Sequence, residues 1–204
     1  MRSGRGRVVR CLAAPLLALA LAGPALAITR DAAQVPAGTY VLDKKHGSLT
    51  VKVRHMGLSN YTARFNVIDA KFDYDPKNPL AAHVEATVDV NSLDTGEPQF
   101  GPQFAREFLD AEHHPTATFV STKLTAIDAT RGVMEGNLTL RGVTKPVKLN
   151  VAFDGYTANA LAGQRVGFTA AGEIDRTEFG SKFLSPDTVA DHVEIYIEAE
   201  FLKQ

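Results

Sequence analysis

His46, His55, His83, His113, His114 and His192 are the residues whose side chains could hold zinc or copper, since neutral imidazole suits both metals. Their spacings fit no standard metal site, and His83 and His192 fall on the outward phase of alternating segments. His113-His114-Pro115 matches the exit of a helix, where imidazole tolerates the negative end of the dipole. Asp43-x-x-His46 suits a hydrogen-bonded pair that fixes a turn. Ser48, Ser59, Ser181 and Ser185 lack the surroundings of an activated nucleophile, and Asp110 and Glu112 read as solvated charge. G-x-S-x-G, HExxH, P-loop and Rossmann fingerprints are all absent. Asn60-Tyr61-Thr62 and Asn137-Leu138-Thr139 match the glycosylation sequon, a pattern common by chance. No catalytic residue, metal or cofactor is therefore expected.

The elements that would position these side chains are strands. Leu49, Val51 and Val53 alternate with polar residues, as do Ala82 to Val90, Val147 to Phe153 and Val193 to Phe201. Weaker runs lie at 63–74, 116–127, 133–140 and 165–174, separated by breakers such as Asp75-Pro76-Lys77-Asn78-Pro79, Arg141-Gly142 and Ala162-Gly163. About eight half-buried antiparallel strands follow. The alternation slips once. Phe65 and Val67 share one face while Ile68, Ala70 and Phe72 share the other, which predicts a bulge or a strand bent round a barrel corner. Phe100, Phe104 and Phe108 recur at spacing four and predict one helix over 99–110, with Gly101-Pro102 in its first turn. Thr177 to Gly180 predicts a single further turn. Crossover helices are missing, so the fold class is all-β, a closed barrel in preference to a sandwich.

The first 27 residues predict a cleaved secretory signal peptide. Arg2, Arg5, Arg7 and Arg10 precede an 11-residue apolar run, Leu12 to Ala22, and Ala25-Leu26-Ala27 supplies a small-x-small cleavage site. That run is too short to span a bilayer, which takes about 20 residues. Without it 177 residues remain, with 18 Lys and Arg against 23 Asp and Glu. A formal charge near −5 argues against a nucleic-acid partner. The single cysteine, Cys11, precedes the apolar run instead of ending it, so neither a lipoprotein anchor nor thiol chemistry is expected of the processed chain. Residues 28–38 read as a short leader, and 39–204 as one domain large enough to bury its own core.

The chain has 11 Phe and 5 Tyr but no Trp, beside small residues such as Ala82, Ala86, Gly136, Ala170 and Gly172 on faces shared with large apolar ones. Small residues facing inward would leave an apolar cavity for a hydrophobic ligand. Periodicity alone leaves open the other outcome, in which the helix or ordinary packing fills the lumen.

Five blocks add a resemblance. They are Leu42-Asp43-Lys44-Lys45-His46-Gly47-Ser48-Leu49 through Asn60; Ala63-Arg64-Phe65; Phe108-Leu109-Asp110 with His114 to Ser121; Gly136-Asn137-Leu138-Thr139-Leu140-Arg141-Gly142-Val143-Thr144-Lys145-Pro146-Val147; and Ile174 to Gly180 with Asp191 to Ile195. In order and over about residues 39–201, they resemble the YceI-like family. One segment departs from it. Where family members often carry a charged Arg-Asp-x-His-Leu-like stretch before the helix, this chain reads Pro98-Gln99-Phe100-Gly101-Pro102-Gln103-Phe104. If that stretch meets a head group, this ligand is less anionic or differently oriented.

The resemblance implies a single-domain, eight-stranded antiparallel lipocalin-like barrel with one inserted helix, a periplasmic location, frequent homodimers and no catalytic residues. It also implies a polyisoprenoid or similar long-chain amphiphilic lipid in the lumen, with the membrane only as its source or acceptor. On that reading the lumen is lined by Leu49, Val51, Phe65, Val84, Val88, Phe104, Phe108, Phe119, Met134, Leu138, Phe168 and Ile195. Arg54, Arg64 and Arg176 are the candidates for a head group. The competing readings are an accessory protein for quinone-linked redox chemistry and a ligand-free module that binds another envelope protein.

Overall fold

The alternating segments become long antiparallel strands. The computed structural model describes residues 27–159 and 163–204, so the expected signal peptide lies, except for Ala27, outside the described residues. In chain order the elements are β1 (Gly38–His55), β2 (Ser59–Phe65), β3 (Ile68–Tyr74), β4 (His83–Asp89), β5 (Leu93–Asp94), α1 (Phe100–Leu109), β6 (Thr116–Ala126), β7 (Arg131–Leu140), β8 (Val143–Asn159), β9 (Gly163–Asp175) and β10 (Val189–Lys203). β1 pairs with β10 along one edge, and with β3 and then β2 along the other. The series β3-β4-β6-β7-β8-β9-β10 returns to β1. Because β2 and β3 lie end to end, the wall is a closed eight-stranded antiparallel barrel with one helix. Closure pairs the edges that an open sheet would expose.

The phase slip is the junction of β2 and β3. Phe65 faces inward at the end of β2, Val67 turns out to solvent, and Ile68, Ala70 and Phe72 face inward along β3. Ser92 takes up the freed backbone. Its carbonyl accepts from Asn66 N–H at 3.1 Å and its hydroxyl from Val67 N–H at 3.0 Å. Beyond β2, the wall is completed by β5, which pairs Phe65 with Leu93, and by α1 packed behind it.

Inward residues fill one end of the barrel with aromatic rings. Tyr40 stacks on Phe72 at 5.1 Å, and Phe72 meets Phe168 and Phe201 edge-on at 5.7 and 5.0 Å. Leu42, Phe153, Tyr156 and Val166 complete this cluster. Edge-on and stacked pairs add to what burial alone contributes. The 28–38 segment, expected as a leader, is folded over this end. Thr29 bridges Tyr156, Val35 is buried in the cluster, and the Tyr40 and Tyr74 hydroxyls donate to Pro36 O and Ala32 O.

The helix forms where the aromatic spacing predicts it. Gly101 lets it dock, because a Cβ there would stand 2.3 Å from Leu93 O. At its C-terminus Asp110 adopts a left-handed conformation with φ 53°, and Arg141 donates to Phe108 O at 3.1 Å. His113 and His114 both face the Asp110 carboxylate, which is thus a cap and ion-pair partner instead of plain solvated charge. The hydrogen bond from His113 holds the Asp110 carboxyl below its ordinary range and raises His113 in turn.

Candidate binding cavity

At the end opposite the aromatic cluster the barrel is hollow. The cavity has a volume of about 260 Å³ and is walled by inward residues of β1, β2, β10 and β7, by α1, and by the segment 181–189. Leu49, Val51, Val53 and His55 descend β1 in one phase, and Tyr61, Ala63 and Phe65 face them from β2. Ring contacts link the wall to the helix and on to the far loop. Tyr61 meets Phe104 at 5.9 Å, Phe104 meets Phe108 at 5.4 Å, and Phe108 meets Phe183 at 5.1 Å.

Eight of the residues expected to line the lumen are brought together here: Leu49, Val51, Phe65, Val88, Phe104, Phe108, Leu138 and Ile195. Four are not. Val84 and Phe168 face inward but pack against the aromatic cluster at the filled end. Phe119 lies over Gly136, with ring carbons 2.2 and 2.5 Å from where a Cβ would be. Met134 pairs with Leu124 and Leu149 farther along β7, toward the filled end. The small residues Gly136 and Gly172 therefore do not open space: Phe119 occupies the first and Leu149 the second.

The three arginines separate sharply. Arg54 is exposed and donates to Gly57 O at 2.7 Å, while Arg64 is exposed on the outer phase of β2. Neither reaches the cavity. Arg176 does line it, but the residue is only 5% exposed and its guanidinium is committed to the backbone. Nε donates to Ala190 O at 2.9 Å, Nη1 to Ser181 O at 2.8 Å and Phe183 O at 3.0 Å, and Nη2 to Val189 O at 2.7 Å. Asp191 lies 3.7 Å from Nη2, and the Phe108 ring covers the guanidinium at 5.4 Å. Burial pulls the Arg176 pKa down, and Asp191 and Asp175 oppose it. Its work is to hold segment 181–191 in place.

His55, Tyr61, Ser181 and Arg176 supply the polar atoms of an otherwise apolar wall. Ser181 Oγ accepts from Arg176 Nη1 at 3.4 Å and the serine is 1% exposed, an arrangement that shields the hydroxyl instead of activating it. Among the described residues no three His, Cys, Asp or Glu side chains gather as a metal site. What the cavity can do is exclude water from a hydrocarbon.

Sequence reasoning missed Val53, His55, Tyr61 and Ala63, although each continues the alternation of a residue it identified. Val90 likewise continues the alternation of Val84 and Val88, whereas Ser181 and Leu184 had no such signal, because they sit in an irregular segment.

The family model for the YceI-like domain matches residues 40–201. A UPF0312 protein of Vibrio cholerae is 36% identical over 167 residues, covering 79% of this chain and 87% of the relative. BcnA of Burkholderia cenocepacia shares the fold at a TM-score of 0.69 and 24% identity, covering 78% of this chain and 98% of that one. A polyisoprenoid binding domain from Saccharophagus degradans superposes at a TM-score of 0.60 and 16% identity, over 81% of this chain and 98% of its own.

Proposed function

This chain belongs to the YceI-like family, and on that premise we propose that it binds a long-chain, isoprenoid-type lipid by its hydrocarbon end. It carries or sequesters that lipid in the periplasm by binding alone, without a covalent step. The observation that carries this reading is the cavity of about 260 Å³ with an almost wholly apolar wall. The polyisoprenoid-binding domain of Saccharophagus degradans, which has the same fold, supports the ligand class.

Volume limits what is held. An apolar cavity of about 150 Å³ takes one benzene, so this one takes on the order of ten carbons, or two isoprene units. At about 0.8 kcal/mol per methylene, that gives at most about 8 kcal/mol, a micromolar ceiling before ordering costs. The rest of a longer chain extends past Tyr61 and Leu184, and the head group stays at the opening. There His55 and Tyr61 offer polar atoms, whereas Arg176 is already occupied by carbonyls.

The test is native mass spectrometry of the secreted protein, with its N-terminus mapped, followed by organic extraction. A stoichiometric long-chain isoprenoid is the expected result, and its identity names the head group and any quinone character. The bare protein mass, with no uptake when polyprenols or quinones are added back, overturns the proposal.

A further inference from the structure

The described surface has ten large apolar side chains left substantially exposed, and four of them gather at one place. Met56 and Leu58 form the tip of the β1–β2 hairpin at 57% and 78% exposure, and Phe183 and Leu184 stand on the neighbouring segment at 37% and 46%. The two loops are joined, since Met56 N–H donates to Thr188 O at 2.8 Å and His55 pairs with Val189. Leu184 also lines the cavity, and Phe183 touches the lining residue Phe108. The apolar wall of the lumen thus continues onto exposed side chains at Phe183 and Leu184, beside the hairpin tip that carries Met56 and Leu58.

From this we propose that the rim formed by Met56, Leu58, Phe183 and Leu184 docks into the interfacial layer of a lipid bilayer, so that the hydrocarbon passes between bilayer and cavity without crossing water. The inference deepens the lipid-carrier reading and names the surface through which it acts. Four side chains are far fewer than the roughly 20–30 residues a stable protein interface uses on each side. They sit on two adjoining loop tips beside the cavity wall, which suits insertion into a deformable apolar phase better than a broad protein contact. Arg54, held to Gly57 O, and Lys182 are exposed beside the tips. The acidic residues there are Asp187 and Asp191, and Asp191 accepts from Ser185 Oγ and lies 3.7 Å from the buried Arg176 guanidinium, which offsets it. The local balance is cationic in a chain that is net acidic overall, as an anionic lipid surface would select.

The test places an environment-sensitive fluorophore on Leu58→Cys, or on Leu80→Cys as a control, in a Cys11→Ser background. Leu80 is 50% exposed but lies on the turn between β3 and β4, at the aromatic end. The secreted proteins are mixed with vesicles of phosphatidylethanolamine and phosphatidylglycerol. A blue shift at position 58 and none at 80 is expected. The unlabelled Met56→Ser/Leu58→Ser pair should lose roughly tenfold or more in vesicle partitioning, while still retaining extractable lipid, because neither residue lines the cavity. No shift at 58, equal shifts at both positions, or a doubled solution mass that shields 58 from vesicles would each overturn the docking proposal. If the protein extracts with lipid yet ignores vesicles, only the docking fails. If it docks yet carries no lipid, only the carrier reading fails.

Discussion

Arg176 shows how a side chain can line a cavity while its polar atoms are committed elsewhere. It reaches the cavity, but its donors are spent on four backbone carbonyls between Ser181 and Ala190. Arg176→Met keeps much of the volume and leaves those carbonyls unpaired, so stability should fall by about 3 kcal/mol in urea titration. Lipid retention should fall with it, because Leu184 and Val189 belong to the wall. A second residue-scale expectation concerns acid. The hydrogen bond from His46, reinforced by Lys45 N–H and Arg165, holds the Asp43 carboxyl down to about 2. A depressed carboxylate stabilises the fold above its unfolded pKa near 4 and loses that contribution as pH falls through about 2. Asp43→Asn should therefore flatten stability between pH 4 and 2, by on the order of 1 kcal/mol after solvent screening, measurable by urea unfolding across that range.

The element that matters most is α1, which is wall as much as helix. Ala105 is 1% exposed, Gly101 presses on Leu93 O, and Phe104 and Phe108 face the lumen. Gly101→Ala should push the helix off β5 and cost about 1–3 kcal/mol by overpacking, with faster amide exchange across 93–109 as its signature. Phe108→Ala removes a ring that touches Phe104, Phe183 and Arg176. It should cost about 2 kcal/mol and weaken lipid retention; unchanged retention would mean the ring braces the wall without touching ligand. The helix was legible from Phe100, Phe104 and Phe108 alone, within a residue at each end. Segment 181–189 was not, because its conformation depends on Arg176 drawing in carbonyls that carry no pattern of their own.

For the molecule as a whole, the division of the lumen sets capacity. One end of the barrel is occupied by rings from β1, β3, β8, β9 and β10, and the cavity lies toward the other, beside a second packed cluster under α1. Ala63 is a small residue of the cavity wall. Ala63→Phe should fill the cavity from within and reduce extractable lipid at least roughly tenfold. Stability should shift by less than about 1 kcal/mol, since the ring enters space that is not already packed. The extraction assay and thermal unfolding together check it.

The amino-acid sequence by itself determined the all-β barrel, the bent strand at Phe65–Ile68, the helix, and which residues of each strand point inward. Alternation carries that information because the pleat turns successive side chains to opposite faces. It says nothing about position along the barrel axis. Val84 and Val88 share a strand and a phase, yet Val84 packs against aromatic rings and Val88 lines the cavity. Phe168 is inward and apolar like Ile195, but it is enclosed by Phe72, Phe153 and Phe201 from three other strands. Only the tertiary structure decided where the lumen is full and where it is hollow, because that depends on side chains far apart in sequence meeting across the closed barrel.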